Sequence, residues 1–272
     1  VTLAGISFQP SEPAKFALIL ALARYFADRR SSAYEGEGFY ERLWGDLMAP
    51  LLMTLLPMFL IFKQPDLGTA LLFMGIFLMM LFVSGLRYRY ILGFLSLCLA
   101  AVPLGWHFLK AYQKDRLLVF LNPNIDPLGA GYTIIQSKIA IGSGQLFGKG
   151  WLAGTQNQLN FLPERHTDFI FSVIGEEWGL IGTLFVLTCY FVLIMCDLKI
   201  AERVKDRFGM QIAVGIVAIL TLQVVINIGM VLGLFPVVGL TLPLISFGRS
   251  SFIVVVMMLG FLLNLSRKRT VF

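Results

Sequence analysis

The chain has 272 residues, of which 57% are hydrophobic and 14% charged, and its formal net charge is +6. Soluble globular domains carry fewer apolar residues and about 25% charged residues, so the composition excludes that class. The basic balance is typical of the cytoplasmic loops of a membrane protein, and we predict no nucleic-acid partner.

The apolar residues occur in runs long enough for helices that cross a bilayer, which takes about 20 residues. The chain is therefore predicted to be an all-α polytopic membrane protein with seven transmembrane helices. They are predicted at residues 11–27, 47–62, 67–84, 90–109, 169–196, 210–234 and 242–265. Pro50 and Pro57 should bend the second span. Because the sequence begins at Val1 without a methionine or a charged leader, we expect further spans of a larger protein to precede it.

The distribution of lysine and arginine predicts which loops are cytoplasmic. Short basic segments occur at residues 24–42, 87–89, 199–207 and 267–269, and alternation of seven spans puts all four on one side. The large loop at residues 110–167 then faces outward, since long loops cross the membrane largely regardless of charge. We predict a multi-pass membrane protein. Glu12, Lys15, Asp168 and residues 246–251 are predicted to share its outer end.

Asp168 is the strongest candidate for chemistry. It follows Glu164, Arg165 and His166 and directly precedes an apolar span. A carboxylate at the mouth of an apolar helix is a functional candidate, suited to general-base catalysis. The alternative is a simple N-cap, a role that aspartate fills well. His166 either orients Asp168 or binds phosphate, or it is a packed or solvated histidine.

Glu12 and Lys15 are three residues apart, so on a helix they share a face and can pair. Such a pair could hold a phosphate-bearing ligand, or it could be a salt bridge at the start of a helix. The two readings are equally favoured by the residue pattern alone.

Residues 142–151 (GSGQLFGKGW) are rich in glycine, but a glycine follows Lys149 where a phosphate-binding loop has serine or threonine. The glycines predict tight turns, and Lys149 could neutralise an anionic headgroup. Residues 134–141 predict an amphipathic helix on the membrane surface. The three cysteines have no CxxC spacing, and no HExxH, GxSxG or paired His/Cys set occurs, so no metal-ligand set is predicted.

Four motifs resemble the SEDS family of bacterial cell-wall polymerases. They are residues 8–15 (FQPSEPAK), 64–70 (QPDLGTA), 163–171 (PERHTDFIF) and 242–248 (LPLISFG). The Glu164-Arg165-His166 sequence is more similar to the RodA (elongation) branch than to the FtsW (division) branch, in which alanine usually replaces the arginine.

The resemblance implies a ten-span fold with both ends cytoplasmic, of which about three spans would precede this chain. It implies a peptidoglycan glycosyltransferase that polymerises lipid II outside the cytoplasmic membrane for cell elongation and shape, with a class B penicillin-binding protein as transpeptidase partner. The essential aspartate of the family corresponds to Asp168, and its outward glutamate and lysine correspond to Glu12 and Lys15. Where the family usually has Gly-Gly-Ser, this chain has Gly248-Arg249-Ser250, and Arg249 is a candidate phosphate contact.

With this resemblance, Asp168 is predicted to deprotonate the acceptor hydroxyl in a single displacement with inversion. Lys15, Lys149, Arg165 or a divalent cation (Mg²⁺ or Mn²⁺) would neutralise the leaving pyrophosphate, and Asp168 could instead coordinate that cation. His166, Ser246, Arg249 and Ser250 complete the predicted substrate-binding residues. Two rival functions remain open, a lipid II flippase and a non-enzymatic scaffold of the wall-synthesis complex.

Overall fold

The computed structural model describes residues 2–3, 6–7, 9–31, 44–64, 66–85, 88–108, 110–127, 129, 131–159 and 161–267. Parts of the predicted basic connections (residues 32–42, 87 and 268–269) lie outside the described residues, as do Phe8 and Pro65 of the family-like motifs. The chain divides into two compact units. Unit 1 comprises Val1–Gly93, Leu193–Leu222 and Gly248–Phe272, and unit 2 comprises Phe94–Val192 and Gln223–Phe247.

The described regular elements are helical except for one small hairpin, so the all-α class is confirmed. In chain order they are β1 Thr2–Leu3, β2 Ile6–Ser7, α1 Ser11–Ser31, a π-helical segment Trp44–Met48 that leads into α2 Ala49–Lys63, α3 Leu67–Val83, α4 Tyr88–Phe108, α5 Ala111–Leu121, a 3-10 turn Pro123–Ile125, α6 Tyr132–Ser143, α7 Thr155–Gln158, α8 Ile170–Arg203, α9 Arg207–Val231 and α10 Arg249–Arg267. Strands β1 and β2 pair antiparallel, with Thr2 opposite Ser7.

Every predicted span corresponds to a helix. In the described part of the chain, four helices are long and apolar enough to cross a membrane, namely Trp44–Lys63, Ile170–Arg203, Arg207–Val231 and Arg249–Arg267. Helix α3 and the stretch Tyr90–Ala100 are shorter apolar helices. Helix α1 has charged side chains near both ends, including Glu12 and Asp28. The chain is a multi-pass membrane protein.

The last span was predicted to start at residue 242, and this boundary is wrong, because α10 begins at Arg249. Residues 242–248 form turns instead. Leu244 has a positive φ of 67°, which a helix does not allow. The backbone N–H of Leu242 donates to the Ser246 hydroxyl over 2.8 Å, which gives the segment a turn of its own. The apolar residues 242–248 therefore precede the helix and do not form its first two turns.

Helix α8 is broken at Gly179, whose φ of 64° and ψ of −157° are not helical. Residues 144–154, called the glycine loop below, supply hydrogen-bond partners to both sides of the break. Four main-chain bonds of 2.9–3.2 Å do so: Lys149 N to Glu176 O, Gly150 N to Glu177 O, Leu180 N to Gln145 O and Ile181 N to Leu146 O. Helix ends leave such groups without intrahelical partners, so the loop satisfies both ends at once.

The contact between loop and helix requires glycine on each side. A Cβ on Gly148 would overlap the carbonyl of Glu177, and a Cβ on Gly179 would overlap the main chain of Gly148. Both residues also have positive φ, which glycine adopts without steric cost. The glycines of this stretch therefore allow two backbones to approach closely. This agrees with the predicted tight turns and not with a phosphate-binding loop.

The core of unit 1 lies where α1, α3 and the first part of α9 meet. Ile19, Phe77 and Ile216 are fully buried there. Gly215 lets the helices approach so closely that a Cβ would collide with Ile19 and lie 3.1 Å from the sulfur of Met80. Small residues at helix contacts are a common basis of packing in membrane proteins. This core holds α1 and, with it, Glu12 and Lys15.

In unit 2, α6 forms where residues 134–141 predicted a helix. One of its faces packs on protein, because the buried Ser137 hydroxyl lies 2.8 Å from the Ser172 hydroxyl and donates over 2.7 Å to the Val231 carbonyl. These bonds tie the large loop to α8 and α9. Helix α6 of the loop therefore lies beside the start of α8.

Candidate functional site

The residues before α8 form a compact turn. Glu164 has a positive φ of 52°. Its carbonyl accepts hydrogen bonds from the backbone N–H groups of Thr167, Asp168 and Phe169 at 3.1, 3.1 and 3.3 Å. Helix α8 begins at Ile170, so Phe169 has the N-cap position and Asp168 precedes it. The backbone of Asp168 is held by the turn and not by the helix.

The carbonyls of residues 166–168 are held from the opposite side by three donors. Asn227 Nδ2 donates to the Asp168 carbonyl over 2.9 Å and to the Leu240 carbonyl over 2.6 Å. The Ser246 hydroxyl donates to the Thr167 carbonyl over 2.5 Å. The Phe247 N–H donates to the His166 carbonyl over 2.8 Å. This clamp, formed by Asn227, Ser246 and Phe247, fixes where the Asp168 side chain starts, which is the preorganisation that a catalytic group requires.

Asp168 lines a cavity of about 310 Å³ that lies within unit 2. The other lining residues are Arg116, Thr133, Pro163, Glu164, Phe169, Val237 and Gly239. Asp168 is half-buried. A Cβ on Gly239 would lie 3.5 Å from Asp168 Oδ2, so the lack of a side chain there leaves room beside the carboxylate. The cavity size is at the lower end of the range for small-molecule sites.

Arg116 is a cavity residue that sequence reasoning did not single out. Its Nη1 donates to the Val237 carbonyl over 3.3 Å, so the side chain reaches the wall formed by residues 237–239. A signal was present in the sequence of α5. Arg116 is spaced by three residues from Gln113 and from Val119, and both of these are buried. This spacing puts Arg116 on the same side of the helix as these two residues, and its own side chain is exposed. The cavity thus combines a carboxylate with a guanidinium.

Arg165 and His166 contact each other, since Arg165 Nε donates to His166 Nε2 over 3.1 Å. His166 is exposed and Arg165 half-buried. They adjoin Asp168 in the chain and are not among the cavity-lining residues. Their predicted roles in substrate binding stay predictions.

Lys149 is placed in a different environment from Asp168. Its Nζ bonds to Glu176 Oε1 over 2.8 Å and to the Thr155 hydroxyl over 2.9 Å. Glu176 is fully buried, and its Oε1 also accepts from the Gln156 N–H over 3.0 Å. The Lys149 ammonium therefore holds the glycine loop to α8. This geometry favours a structural role over the predicted headgroup contact.

Glu12 and Lys15 form the predicted pair, with 2.8 Å between Lys15 Nζ and Glu12 Oε1. Their side chains are 7% and 1% exposed. In the described part of the chain, Glu12 Oε2 is buried without a hydrogen-bond partner. A buried ion pair is weak evidence for a purely stabilising role, because desolvation offsets the attraction. The role of the pair in substrate binding stays a prediction.

The remaining predicted residues are near the start of α10. Ser250 Oγ accepts a hydrogen bond from the Gln9 N–H over 3.2 Å, and Arg249 is exposed. Both belong to unit 1 together with Glu12 and Lys15, whereas Lys149, Arg165, His166, Asp168 and Ser246 belong to unit 2. The structure brings Ser246 to the Asp168 turn and places Lys149 with Glu176. That all of these share one outer end stays a prediction.

The described residues contain no group of three or more His, Cys, Asp or Glu side chains arranged to hold a metal ion. Two carboxylates, Glu164 and Asp168, line the cavity. Mg²⁺ is commonly held by one or two carboxylates together with substrate phosphates. The cavity therefore fits a cation that is bound jointly with an anionic substrate.

Comparison with known proteins agrees with the four motifs. Residues 1–271 match the model of the FTSW_RODA_SPOVE family, described as cell cycle protein. The chain is 47% identical over 266 residues to the peptidoglycan glycosyltransferase MrdB of Escherichia coli K12, an alignment that covers 97% of this chain and 69% of the relative.

Two solved structures are similar over nearly the whole chain. One, from work on the structural coordination of polymerization and crosslinking by a peptidoglycan synthase complex, has a TM-score of 0.80 and 34% identity, covering 100% of this chain and 74% of the other. The other is the rod shape determining protein RodA of Thermus thermophilus, with a TM-score of 0.66 and 31% identity, covering 99% and 69%. The chain belongs to the FTSW_RODA_SPOVE family, the SEDS membrane proteins to which its motifs had pointed.

Proposed function

We infer that this protein is a peptidoglycan glycosyltransferase, which polymerises lipid II into glycan strands at the outer face of the bacterial cytoplasmic membrane for cell elongation and shape. Family membership and the name of the E. coli relative support the activity. The assignment of the site rests on one observation: Asp168 and Arg116 line the same cavity.

In the reaction we propose, the Asp168 carboxylate takes the proton from a sugar hydroxyl of the acceptor. The hydroxyl oxygen then forms a bond to the anomeric carbon of the donor, while the bond from that carbon to the diphosphate oxygen breaks. One displacement inverts the configuration at the anomeric carbon, and the proton on Asp168 returns to water. General-base catalysis of this kind contributes about 10²–10⁴-fold in rate.

The leaving diphosphate carries the electron pair of the broken bond and needs positive charge beside it. Arg116 is the cation that lines the cavity with Asp168, and a guanidinium binds phosphate oxygens in a bidentate manner. The clamp by Asn227 and Ser246 would keep the carboxylate in place through the reaction. Lys149 has no part in this step, because Glu176 binds its ammonium.

We also propose a divalent cation, Mg²⁺ or Mn²⁺, as a cofactor, which Glu164 would hold together with the diphosphate while Asp168 serves as the base. When bound, such an ion neutralises charge that develops on the leaving group. The partner that we propose is a class B penicillin-binding protein, which would crosslink the strands. Its support is the similarity to the structure concerned with coordination of polymerization and crosslinking.

The test is polymerisation of purified lipid II by Asp168→Asn, measured as glycan chains on a gel. We expect a loss of about 10³-fold if the carboxylate is the base. The matched control is Asp115→Asn, which removes the same charge from an exposed position of unit 2 outside the cavity and should leave the rate unchanged. Wild-type rates in Asp168→Asn would contradict the proposal. Transbilayer movement of lipid II without polymerisation by the unsubstituted protein would favour the flippase.

A further inference from the structure

An exposed apolar patch surrounds the break in α8. It consists of Leu146, Phe147, Trp151 and Leu152 of the glycine loop together with Trp178 of the helix, and these side chains are between 48% and 79% exposed. Two rings of the patch touch, since the centroids of Trp151 and Trp178 are 6.0 Å apart at an interplanar angle of 60°. We propose that this aromatic patch inserts into the interfacial layer of the lipid bilayer and anchors the loop there.

The length of α8 beyond its break sets the depth of the patch. Exposed apolar side chains run along this part of the helix, among them Leu180, Leu184, Phe185, Phe191, Met195 and Leu198. From residue 180 to residue 198 a helix rises about 27 Å. This matches the hydrocarbon core of a bilayer, which is about 30 Å thick. The exposed charged residues Glu202 and Arg203 follow the C-terminal end of this stretch. Trp178 and the break therefore lie at the opposite boundary of the hydrocarbon core.

The glycine loop is fixed at that boundary. The Leu180 and Ile181 N–H groups donate to the Gln145 and Leu146 carbonyls over 2.9 and 3.2 Å, directly at the first turn after the break. Phe147, the next residue, is therefore held at the depth of Trp178. Tryptophan is enriched at this level of membrane proteins, because its ring is apolar and its N–H is polar.

The charge of the loop is compatible with insertion. Lys149 is the single charged residue among residues 144–154, and its ammonium is bound to the buried Glu176 carboxylate. A charge is costly at the centre of the bilayer but is tolerated near the interface, where the proposal places the loop. The patch is also continuous with the exposed apolar face of the membrane-spanning helix. Continuity with that face favours lipid over a protein as the occupant.

The experiment measures depth directly with a nitroxide attached to Phe147→Cys. The background lacks the three native cysteines, Cys98, Cys189 and Cys196, which are all exposed. The full protein is placed in nanodiscs of phosphatidylethanolamine and phosphatidylglycerol without a partner protein, and accessibility to oxygen is compared with accessibility to a water-soluble nickel chelate. Phe185→Cys is the reference inside the core, and Asn124→Cys in the exposed polar turn is the aqueous control.

We expect the oxygen-to-nickel ratio at Phe147 to be severalfold above that at Asn124 and to approach that at Phe185. A ratio equal to that at Asn124 would overturn the proposal. Shielding from both reagents would overturn it too, because it indicates a protein contact. As a second readout, Trp151→Phe should lower quenching of tryptophan fluorescence by brominated lipids, and unchanged quenching would count against insertion. Neither readout depends on polymerisation, so a negative result would contradict insertion of the patch without bearing on the proposed function.

Discussion

The turn at residues 164–168 and the glycine loop at residues 144–154 both present a charged side chain near the start of α8. In the turn, donors from Asn227 and Ser246 hold the main chain, and the Asp168 carboxylate lines a cavity. In the loop, the Lys149 ammonium is bound to the buried Glu176 carboxylate. The comparison teaches that two charged side chains near the start of one helix can have different surroundings, one a cavity and the other a buried carboxylate.

After the loss expected for Asp168→Asn, the next largest effect is expected from Arg116, the cation that lines the cavity with Asp168. Arg116→Gln removes the guanidinium from the cavity, and we expect the polymerisation rate to fall about 100-fold, since a donor to a developing charge contributes this much. Arg116→Lys keeps the charge without the bidentate geometry and should recover part of the rate. Lys114→Gln, on the same helix and outside the cavity lining, is the control. Equal losses in Arg116→Gln and Lys114→Gln would show a nonspecific charge effect.

A smaller effect is expected from the clamp. Asn227→Leu leaves the carbonyls of Asp168 and Leu240 without their side-chain donor. We expect kcat to fall about tenfold with KM nearly unchanged, because the carboxylate loses its position while the cavity keeps its cation. The free energy of unfolding should fall by about 2 kcal/mol.

The control for Asn227→Leu is Gln223→Leu, which removes another buried amide one turn earlier on α9. Steady-state kinetics and thermal unfolding of both variants separate positioning from stability. A loss of stability in Asn227→Leu with an unchanged kcat would mean that Asn227 serves folding alone.

The smallest effect on polymerisation is expected from the loop. Lys149→Met leaves the Glu176 carboxylate buried without its cation, so the free energy of unfolding should fall by about 3 kcal/mol. Glu176→Gln should cost about 1 kcal/mol, because the Lys149 side chain is 27% exposed and can turn to water. At a temperature at which each variant is folded, both should polymerise lipid II at close to the wild-type rate.

Thermal unfolding of the two single variants and of the double variant measures the coupling between Lys149 and Glu176. The double variant should be more stable than Lys149→Met alone. If Lys149→Met stayed as stable as the wild type and stopped polymerisation, the lysine would belong to the substrate site, as the sequence had suggested.

Much of the fold followed from local sequence. A helix is present at each predicted span, four of those described being long and apolar enough to cross a membrane, and the i, i+3 spacing of Glu12 and Lys15 predicted an ion pair that the structure confirms. The start of the last span was not predictable from hydropathy, because Leu242 to Gly248 is apolar and yet forms turns around Ser246. Arg116 was not predicted as a site residue, because its sequence context does not distinguish it from the other basic residues of the large loop.

The sequence by itself determined the membrane-spanning class, the family and the aspartate of interest, since hydrophobic length and motif residues are properties of contiguous stretches. Only the tertiary structure decided what surrounds that aspartate. Arg116 and Gly239 line the same cavity as Asp168, and Asn227 donates to the Asp168 carbonyl, although the three residues are between 52 and 71 positions away in numbering. Contacts over such separations depend on how the helices pack. The same packing binds Lys149 to Glu176, and Lys149 is not among the residues that line the cavity. The sequence around Lys149 carried no signal for this pairing.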